Sequence, residues 1–236
     1  MKIRLGMLPI AILTDHGTNF EEKAGIHQLI ERSEMGIREE RKFIVGDATK
    51  DITFTTSRTF ATDEEAKEMF NISVERLFAV DRWTDLPGIS SRFELHDEDG
   101  EKKEAARPKV GDHIKIILPG VPLDNWVAVT EVKERDGSAE FTVSPCNDPK
   151  ATGEERKQIK HFFTAGATST FRVELEGGTI TAWEIGRNEG INNKGEEAGG
   201  RKVVNTLIAE GGWAGFQRLQ WEKLTNYLVD QLEIEE

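Results

Sequence analysis

Alternation of apolar and polar residues dominates the chain beyond its first fifty residues and predicts a β-rich fold. In the segment "ITFTTSRTF", Ile52, Phe54, Thr56, Arg58 and Phe60 share one side of an extended strand, because successive side chains point to opposite faces. Six later segments are also typical of strands, namely "SRFEL", "GDHIKIIL", "NWVAVTEVK", "AEFTVSP", "STFRVEL" and "TITAWEI". The pattern therefore predicts about seven strands.

The last two of these segments are predicted to form a hairpin, because Gly177-Gly178 between them suits a two-residue turn. In "STFRVEL" the residues in phase with Phe171 are expected to face the core. In "TITAWEI" the large side chains of Trp183 and Ile185 are in phase, so we expect them to face the core as well.

Two segments have the 3.6-residue period of amphipathic helices. Thr62 is placed to cap a helix that begins with Asp63-Glu64-Glu65, acids that the helix dipole favours. The second helix ends the chain, and its aromatic face needs a large apolar partner such as a sheet. That face contains Trp213, Phe216, Trp221, Leu224, Tyr227, Leu228 and Leu232.

The first 45 residues differ in pattern from the rest. We interpret residues 1–45 as an N-terminal extension that packs on a main domain formed by residues 46–236. The opening "MKIRLGMLPIAILTDHG" has a short apolar run, but Pro9 interrupts it and no small-residue cleavage pattern follows. We therefore expect a cytoplasmic protein without a signal peptide.

Composition and charge narrow the classes of partner. The formal net charge is −12 and no strongly basic patch is visible, which argues against nucleic-acid binding and against docking on anionic membranes. No apolar run is long enough for membrane insertion. The single cysteine, Cys146, excludes an internal disulfide, and the five histidines are too scattered to indicate a metal site. We expect no metal and no cofactor. The sequence is compatible with a homodimer as well as a monomer.

The order of elements resembles the helix-grip fold of the START-like superfamily, which includes polyketide cyclases and is also known as SRPBCC. The residues that carry this resemblance are the first strand ending at Phe60, the helix "TDEEAKEMF", the tryptophan of "DRWTDLPGIS", then "VGDHIKI" and "WVAVTEV". The resemblance covers about residues 50–236. It implies an α+β fold, with a curved antiparallel sheet of about seven strands wrapped on a long C-terminal helix.

The resemblance also implies an apolar cavity between sheet and helix that binds a hydrophobic or amphipathic small molecule. Five aromatic side chains are expected to face this interior, either as ordinary core or as lining of a ligand site. They are Phe141, Phe171, Trp183, Trp213 and Phe216. The superfamily shares no catalytic motif, so no catalytic residue follows from the resemblance.

Two arginines are candidates for the polar part of such a site. Arg187, in the segment "GRNEGINN", continues the phase of Trp183 and is expected to reach the cavity end, whereas Arg58 shares a face with Phe54. A guanidinium in the interior needs a partner, which is either a protein carboxylate or a ligand carboxylate. The asparagines of the segment suit a turn with positive φ.

Catalysis has one candidate residue, His161, because histidine is the usual general acid or base near neutral pH. No acid partner is visible near it in the sequence. Three functions stay open: a binding domain for a hydrophobic small molecule, a protein-interaction module that uses the aromatic helix or the sheet face, and an enzyme of the cyclase or dehydratase type. The last requires His161 or an acid to project into the cavity.

Overall fold

The computed structural model describes residues 49–87, 91–104, 106–117, 124–153, 166–189 and 213–234, without the side chains of residues 124 and 213–219. The predicted N-terminal extension lies outside these residues, so its boundary at residue 45 stays a prediction.

Among the described residues, seven strands form one antiparallel sheet in the order β1-β7-β6-β5-β4-β3-β2. The first and last strands in sequence are therefore neighbours. The strands are β1 (Lys50–Thr59), β2 (Arg92–His96), β3 (His113–Ile117), β4 (Asp124–Arg135), β5 (Ser138–Cys146), β6 (Thr168–Glu176) and β7 (Thr179–Glu189).

In the part of the chain that the structure describes, two α-helices cover one face of the sheet. Helix α1 (Asp63–Phe78) begins where the sequence predicts, since the Thr62 hydroxyl accepts a hydrogen bond from the backbone N–H of Glu65 at 3.1 Å. A 3₁₀ helix (Val80–Asp85) follows, and helix α2 (Trp213–Leu228) ends the fold. Helix α1 packs on β6 and β7, while α2 packs on β1 and β7. The predicted helix-grip architecture is confirmed.

The core lies between this helix-covered face and the two helices. Its centre is an aromatic cluster in which the ring of Trp83 lies 5.6 Å from Phe93, 6.0 Å from Phe141 and 4.9 Å from Phe171, between centroids. Trp221 of α2 extends the cluster, with its ring 5.4 Å from that of Phe171. Such contacts anchor the 3₁₀ helix and α2 to the middle of the sheet.

Polar contacts fix the C-terminal end of α2 against β1. The hydroxyls of Thr56 and Thr225 are 2.8 Å apart. Beyond the helix, the carboxylate of Asp230 lies 2.6 Å from the guanidinium of Arg58 and 3.0 Å from that of Arg76. Thr225 within α2 contacts Thr56, and Asp230 beyond its end contacts Arg58. The earlier turns of α2 therefore lie toward the N-terminal end of β1, which pairs with the end of β7.

The expected phase of β7 is wrong. Ile180, Ala182 and Glu184 face the helices and are fully buried, whereas Trp183 and Ile185 lie on the opposite face and are half-buried. The two-residue turn at Gly177-Gly178 determines this result, because it pairs Leu175 with Ile180, Val173 with Ala182 and Phe171 with Glu184. Directly paired residues share a face of the sheet.

Candidate functional site

A carboxyl group lies in the apolar interior near the end of β7. Glu184 is 0% exposed and sits on the helix-covered face between Phe54 of β1 and Phe171 of β6, its partners in the two neighbouring strands. Neither carboxyl oxygen has a hydrogen-bond partner among the described residues. Buried polar groups without partners are rare in proteins and call for a functional or structural explanation.

A second buried carboxyl group reaches the same end of β7 through a β-bulge. Lys50 pairs with Glu189 and Ile52 with Gly186, so three steps along β7 match two along β1. Asn188 has the left-handed φ of 51° that the sequence predicts for a turn residue, and its N–H donates to Asp51 Oδ1 at 2.9 Å. The extra residue turns Glu189 into the interior, where it is 1% exposed.

Gly186 leaves room for the Glu189 side chain. A Cβ atom at position 186 would lie 2.7 Å from the carboxyl carbon of Glu189 and 3.2 Å from its Cγ. Position 186 is two residues from Glu184, so the missing side chain would point to the same face. Glu189 therefore folds back over Gly186 toward Glu184.

Burial is the main influence on the ionisation of Glu184. It raises the pKa of this carboxyl well above its usual range, and repulsion from Glu189 raises the pKa further. The hydroxyl of Ser169 and the charge of Arg187 act in the opposite direction, and neither outweighs burial. The Ser169 hydroxyl lowers the pKa as a nearby polar group, although it makes no hydrogen bond of normal geometry to the carboxyl oxygens. Glu184 therefore holds its proton to a higher pH than an exposed glutamate.

Arg187 does not lie where its expected phase placed it. The bulge and the phase of β7 turn its side chain outward, where it is 49% exposed, with Nε 3.9 Å from Asp51 Oδ2. Its Nη1 donates to the carbonyl of Gly186 at 3.3 Å. Glu189, two residues further along the strand, occupies the interior position that was predicted for Arg187.

The other two described candidates outside the core also have protein partners. Arg58 pairs with Asp230, as a structural ion pair would, and its guanidinium lies 4.7 Å from the centre of the Phe60 ring. Trp183 faces away from the helices, and the guanidinium of Arg172 lies over its ring, 5.3 Å from the ring centre. The prediction that Trp183 faces the interior is wrong, because the hairpin register gives that face to Glu184.

Phe141 and Phe171 are in the interior as predicted, and both are buried. The structure brings Phe171 next to Glu184 and places Phe141 beside Phe171 on the neighbouring strand. A ligand-lining role for either ring stays a prediction. The side chains of Trp213 and Phe216 and the whole of His161 lie outside the described residues, so their predicted roles also stay predictions.

The sequence also indicated that Glu184 faces the interior, but the hydrophobic pattern of β7 favoured Trp183 and Ile185 instead. Phe171 and Val173 were assigned to the interior and Gly177-Gly178 to a two-residue turn. Counting outward from such a turn pairs Phe171 with Glu184, which requires a carboxyl group in the interior. The position of Glu189 had no comparable sign, because a bulge shifts the alternation by one residue.

A metal site and a reactive cysteine are not indicated by the described residues. No group of three or more His, Cys, Asp or Glu side chains is placed to hold a metal ion in the part of the chain that the structure describes. Burial and the charge of Asp148 raise the pKa of the Cys146 thiol to about 12, which suppresses the reactive thiolate. Within the same ranges, no helix has the length and apolar character needed to cross a membrane.

No protein-family model matches the sequence, and no curated protein matches it significantly. Solved structures with a similar fold include a hypothetical protein of Helicobacter pylori, 13% identical over 79% of this chain and 92% of that one, with a TM-score of 0.48. Norcoclaurine synthase of Thalictrum flavum, in complex with dopamine and hydroxybenzaldehyde, is 13% identical over 81% and 92%, with a TM-score of 0.37. Major latex-like protein 151 of Panax ginseng is 14% identical over 68% and 93%, with a TM-score of 0.33.

Each of these likenesses is below 25% identity and below a TM-score of 0.5, so no property of these proteins is assigned to this chain. The described residues have the helix-grip architecture, with an antiparallel sheet and two α-helices on one face. Within that fold, the fully buried carboxyl group of Glu184 at the end of β7 is the feature that ordinary core packing does not explain.

Substituting Gly186 by alanine should cost about 1–3 kcal/mol of the free energy of unfolding, because the new methyl group would overlap the Glu189 side chain. Urea unfolding measures the loss. Most of it should disappear in the background of Glu189→Ala, where the overlapping atoms are absent. Gly166→Ala is the matched control, since nothing lies within 4 Å of its Cβ position. An equal loss in both backgrounds would contradict the contact.

Proposed function

We propose that this protein binds an amphipathic small molecule between the helix-covered face of the sheet and helix α2, with Glu184 contacting the polar group of that molecule. The observation that carries the proposal is the fully buried Glu184, neither of whose oxygens has a hydrogen-bond partner among the described residues. Ligand sites are mostly apolar with a few placed polar groups, and Glu184 between Phe54 and Phe171 fits that description.

Accessible aromatic surface near Glu184 supports the proposal. Phe54 is half-buried although it points to the helix-covered face, and Trp221 is partly buried against Phe171. By contrast, Phe141 is fully buried at the centre of the cluster. Packing is thus complete around Phe141 and less complete toward the end of β7, which is where a ligand would add contacts.

The test is binding of a neutral apolar fluorophore, N-phenyl-1-naphthylamine, to the full chain. We expect saturable binding of one molecule with a blue shift of its emission. Phe54→Leu should weaken binding several-fold, because Phe54 lies beside Glu184. Thr53→Val, on the opposite face of the same strand, is the control and should bind as the native chain does. Unsaturable binding, or equal sensitivity to both substitutions, would refute the proposal. Native mass spectrometry for a co-purified molecule provides an independent measurement.

The raised pKa of Glu184 also favours a second candidate, an enzyme of the cyclase or dehydratase type. A carboxyl group whose pKa burial raises well above its usual range is suited to act as a general acid. In that case Glu184→Gln would abolish turnover and retain fluorophore binding, in a screen of cyclisation and dehydration substrates. The interaction module, the homodimer and the cytoplasmic location stay predictions from the sequence.

A further inference from the structure

A groove on the outer face of the sheet, opposite the helices, brings positively charged side chains together. It lies near the turn between β4 and β5 and has a volume of about 160 Å³. Its lining consists of Lys133, Arg135, Ser138, Glu140 and Arg172. Three cations against one carboxylate leave this lining with a net charge of +2, in a chain whose formal net charge is −12.

The strand register assembles the groove from residues that are distant in sequence. Lys133, Glu140 and Arg172 are directly paired across β4, β5 and β6, and they share the face of Trp183. Directly paired residues of an antiparallel sheet have their β carbons about 4.5–5.5 Å apart. The cluster of charges therefore depends on pairing between strands, which is why no basic patch is visible in the sequence.

The three cations differ in how fully the protein pairs them. The ammonium of Lys133 lies 3.1 Å from the Glu140 carboxylate, and Arg172 donates through Nη2 to Glu174 at 2.6 Å. By contrast, Arg135 forms no ion pair and no side-chain hydrogen bond with the described residues. Its guanidinium has five N–H donors, so the groove contains one cation whose donors the described residues do not use.

Two further donors of the groove also lack a protein acceptor among the described residues. The Nε of Arg172 has no hydrogen-bond partner, because Glu140 Oε2 is 3.8 Å away, beyond hydrogen-bond range. The Ser138 hydroxyl has none either. The ring of Trp183 lies 5.3 Å from the Arg172 guanidinium and helps to hold it in place. The group that best matches this groove therefore supplies acceptor oxygens and negative charge.

We propose that the groove binds the phosphate group of a small soluble molecule, with Arg135 and Ser138 as its main contacts. A phosphate monoester has a charge of about −1.5 to −2 near pH 7 and three acceptor oxygens, which matches the net charge of the lining. Sites that enclose a whole drug-sized ligand have volumes of about 300–1,000 Å³, so a groove of about 160 Å³ suits a single charged group. Lys133 would stay paired with Glu140 when the phosphate is bound.

The test is an NMR titration of the full chain, labelled with ¹⁵N, with inorganic phosphate, sulfate and acetate at pH 8 and constant ionic strength. We expect saturable shifts with phosphate and sulfate, located at the backbone amide of Ser138 and the Nε–H groups of Arg135 and Arg172. Acetate should bind about fivefold or more weakly, because it has a single charge and two oxygens. Constant ionic strength separates the site from general screening of surface charge.

Three variants change the charge of one residue each. Arg135→Gln should weaken phosphate binding about fivefold to tenfold, because it removes a guanidinium that pairs well with phosphate at a partly exposed site. Glu140→Gln should tighten binding, because it removes the one carboxylate of the lining. Arg92→Gln is the matched control, since Arg92 is an exposed arginine on β2 and its loss changes the net charge equally. It should leave phosphate binding unchanged.

Glycerol 3-phosphate and phosphatidylcholine vesicles that contain phosphatidic acid distinguish a soluble phosphate from one on a membrane. We expect glycerol 3-phosphate to bind as phosphate does. The vesicles should not bind, because a net charge of −12 opposes approach to an anionic membrane.

Several results would overturn the phosphate site. They are unsaturable shifts, shifts spread over the chain, acetate binding as tight as phosphate binding, binding to the vesicles, and equal weakening by Arg92→Gln and Arg135→Gln. Circular dichroism checks that each variant folds, and the location of the shifts in the native chain decides the outcome if one does not. The binding function proposed for the interior is independent of this site, because the two lie on opposite faces of the sheet.

Discussion

Truncation of Trp83 to alanine should lower the free energy of unfolding by about 3–5 kcal/mol, the range observed for large aromatic residues in cores. Trp83 is 1% exposed, and its ring contacts Phe93, Phe141 and Phe171. Its indole N–H also donates to the carbonyl of Arg76 at 3.0 Å, which links the 3₁₀ helix to α1. Natural domains are stable by about 5–15 kcal/mol, so this single change removes a large share.

Urea unfolding of Trp83→Ala and Trp183→Ala tests this prediction with one truncation on each face of the sheet. Trp183 is half-buried on the face away from the helices, so its loss should cost about 1 kcal/mol. Trp83→Phe separates ring volume from the hydrogen bond and should fall between these values. If the two alanine variants lost equal stability, the assignment of the faces of β7 would be wrong.

Local patterns in the sequence were sufficient to predict the element order. Period-two alternation marked the strands, Thr62 with its following acids marked the start of α1, and Gly177-Gly178 marked the last hairpin. These features act over a few residues, where backbone preference and capping decide the structure. On the described part of the predicted apolar face of α2, Leu224, Tyr227 and Leu228 are buried as expected.

The candidate site was less predictable, because it depends on relations between strands. Side-chain size favoured Trp183 for the interior, yet the register of the hairpin gives that position to Glu184. A buried carboxyl group contradicts the usual preference of glutamate for solvent, so a pattern of hydrophobicity assigns it to the surface. Combining the turn with the phase of β6 would have corrected the error.

The bulge at the end of β7 limited prediction in a different way. In "GRNEGINN", Asn188 was assigned to a turn with positive φ, and its φ of 51° agrees. The sequence did not indicate that Asn188 lies inside a paired strand, where the bulge gives β7 one residue more than β1. The consequence is that Glu189 turns inward, whereas the register of the hairpin already places Arg187 on the outward face with Trp183.

Glu184→Gln should stabilise the protein at neutral pH, by an amount that grows as the pH rises. Because burial raises the pKa of Glu184 in the folded state, the folded chain keeps a proton that the unfolded chain releases above its glutamate pKa of about 4.3. The native protein therefore loses stability with increasing pH, by at most about 1.4 kcal/mol per pH unit from this group, until the folded-state pKa is passed. Glutamine has nearly the same shape and does not titrate, so it avoids this loss.

Urea unfolding from pH 4 to pH 8 measures the difference between Glu184→Gln and the native chain. It should be small near pH 4, where both side chains are neutral, and largest at pH 8. Glu174→Gln, on the opposite face, should show no comparable rise. A difference that stays constant with pH would mean that Glu184 titrates as an exposed glutamate does. A rising difference would mean that the native chain gives up stability to keep a carboxyl group in its interior, and such a loss is typical of residues retained for binding or catalysis.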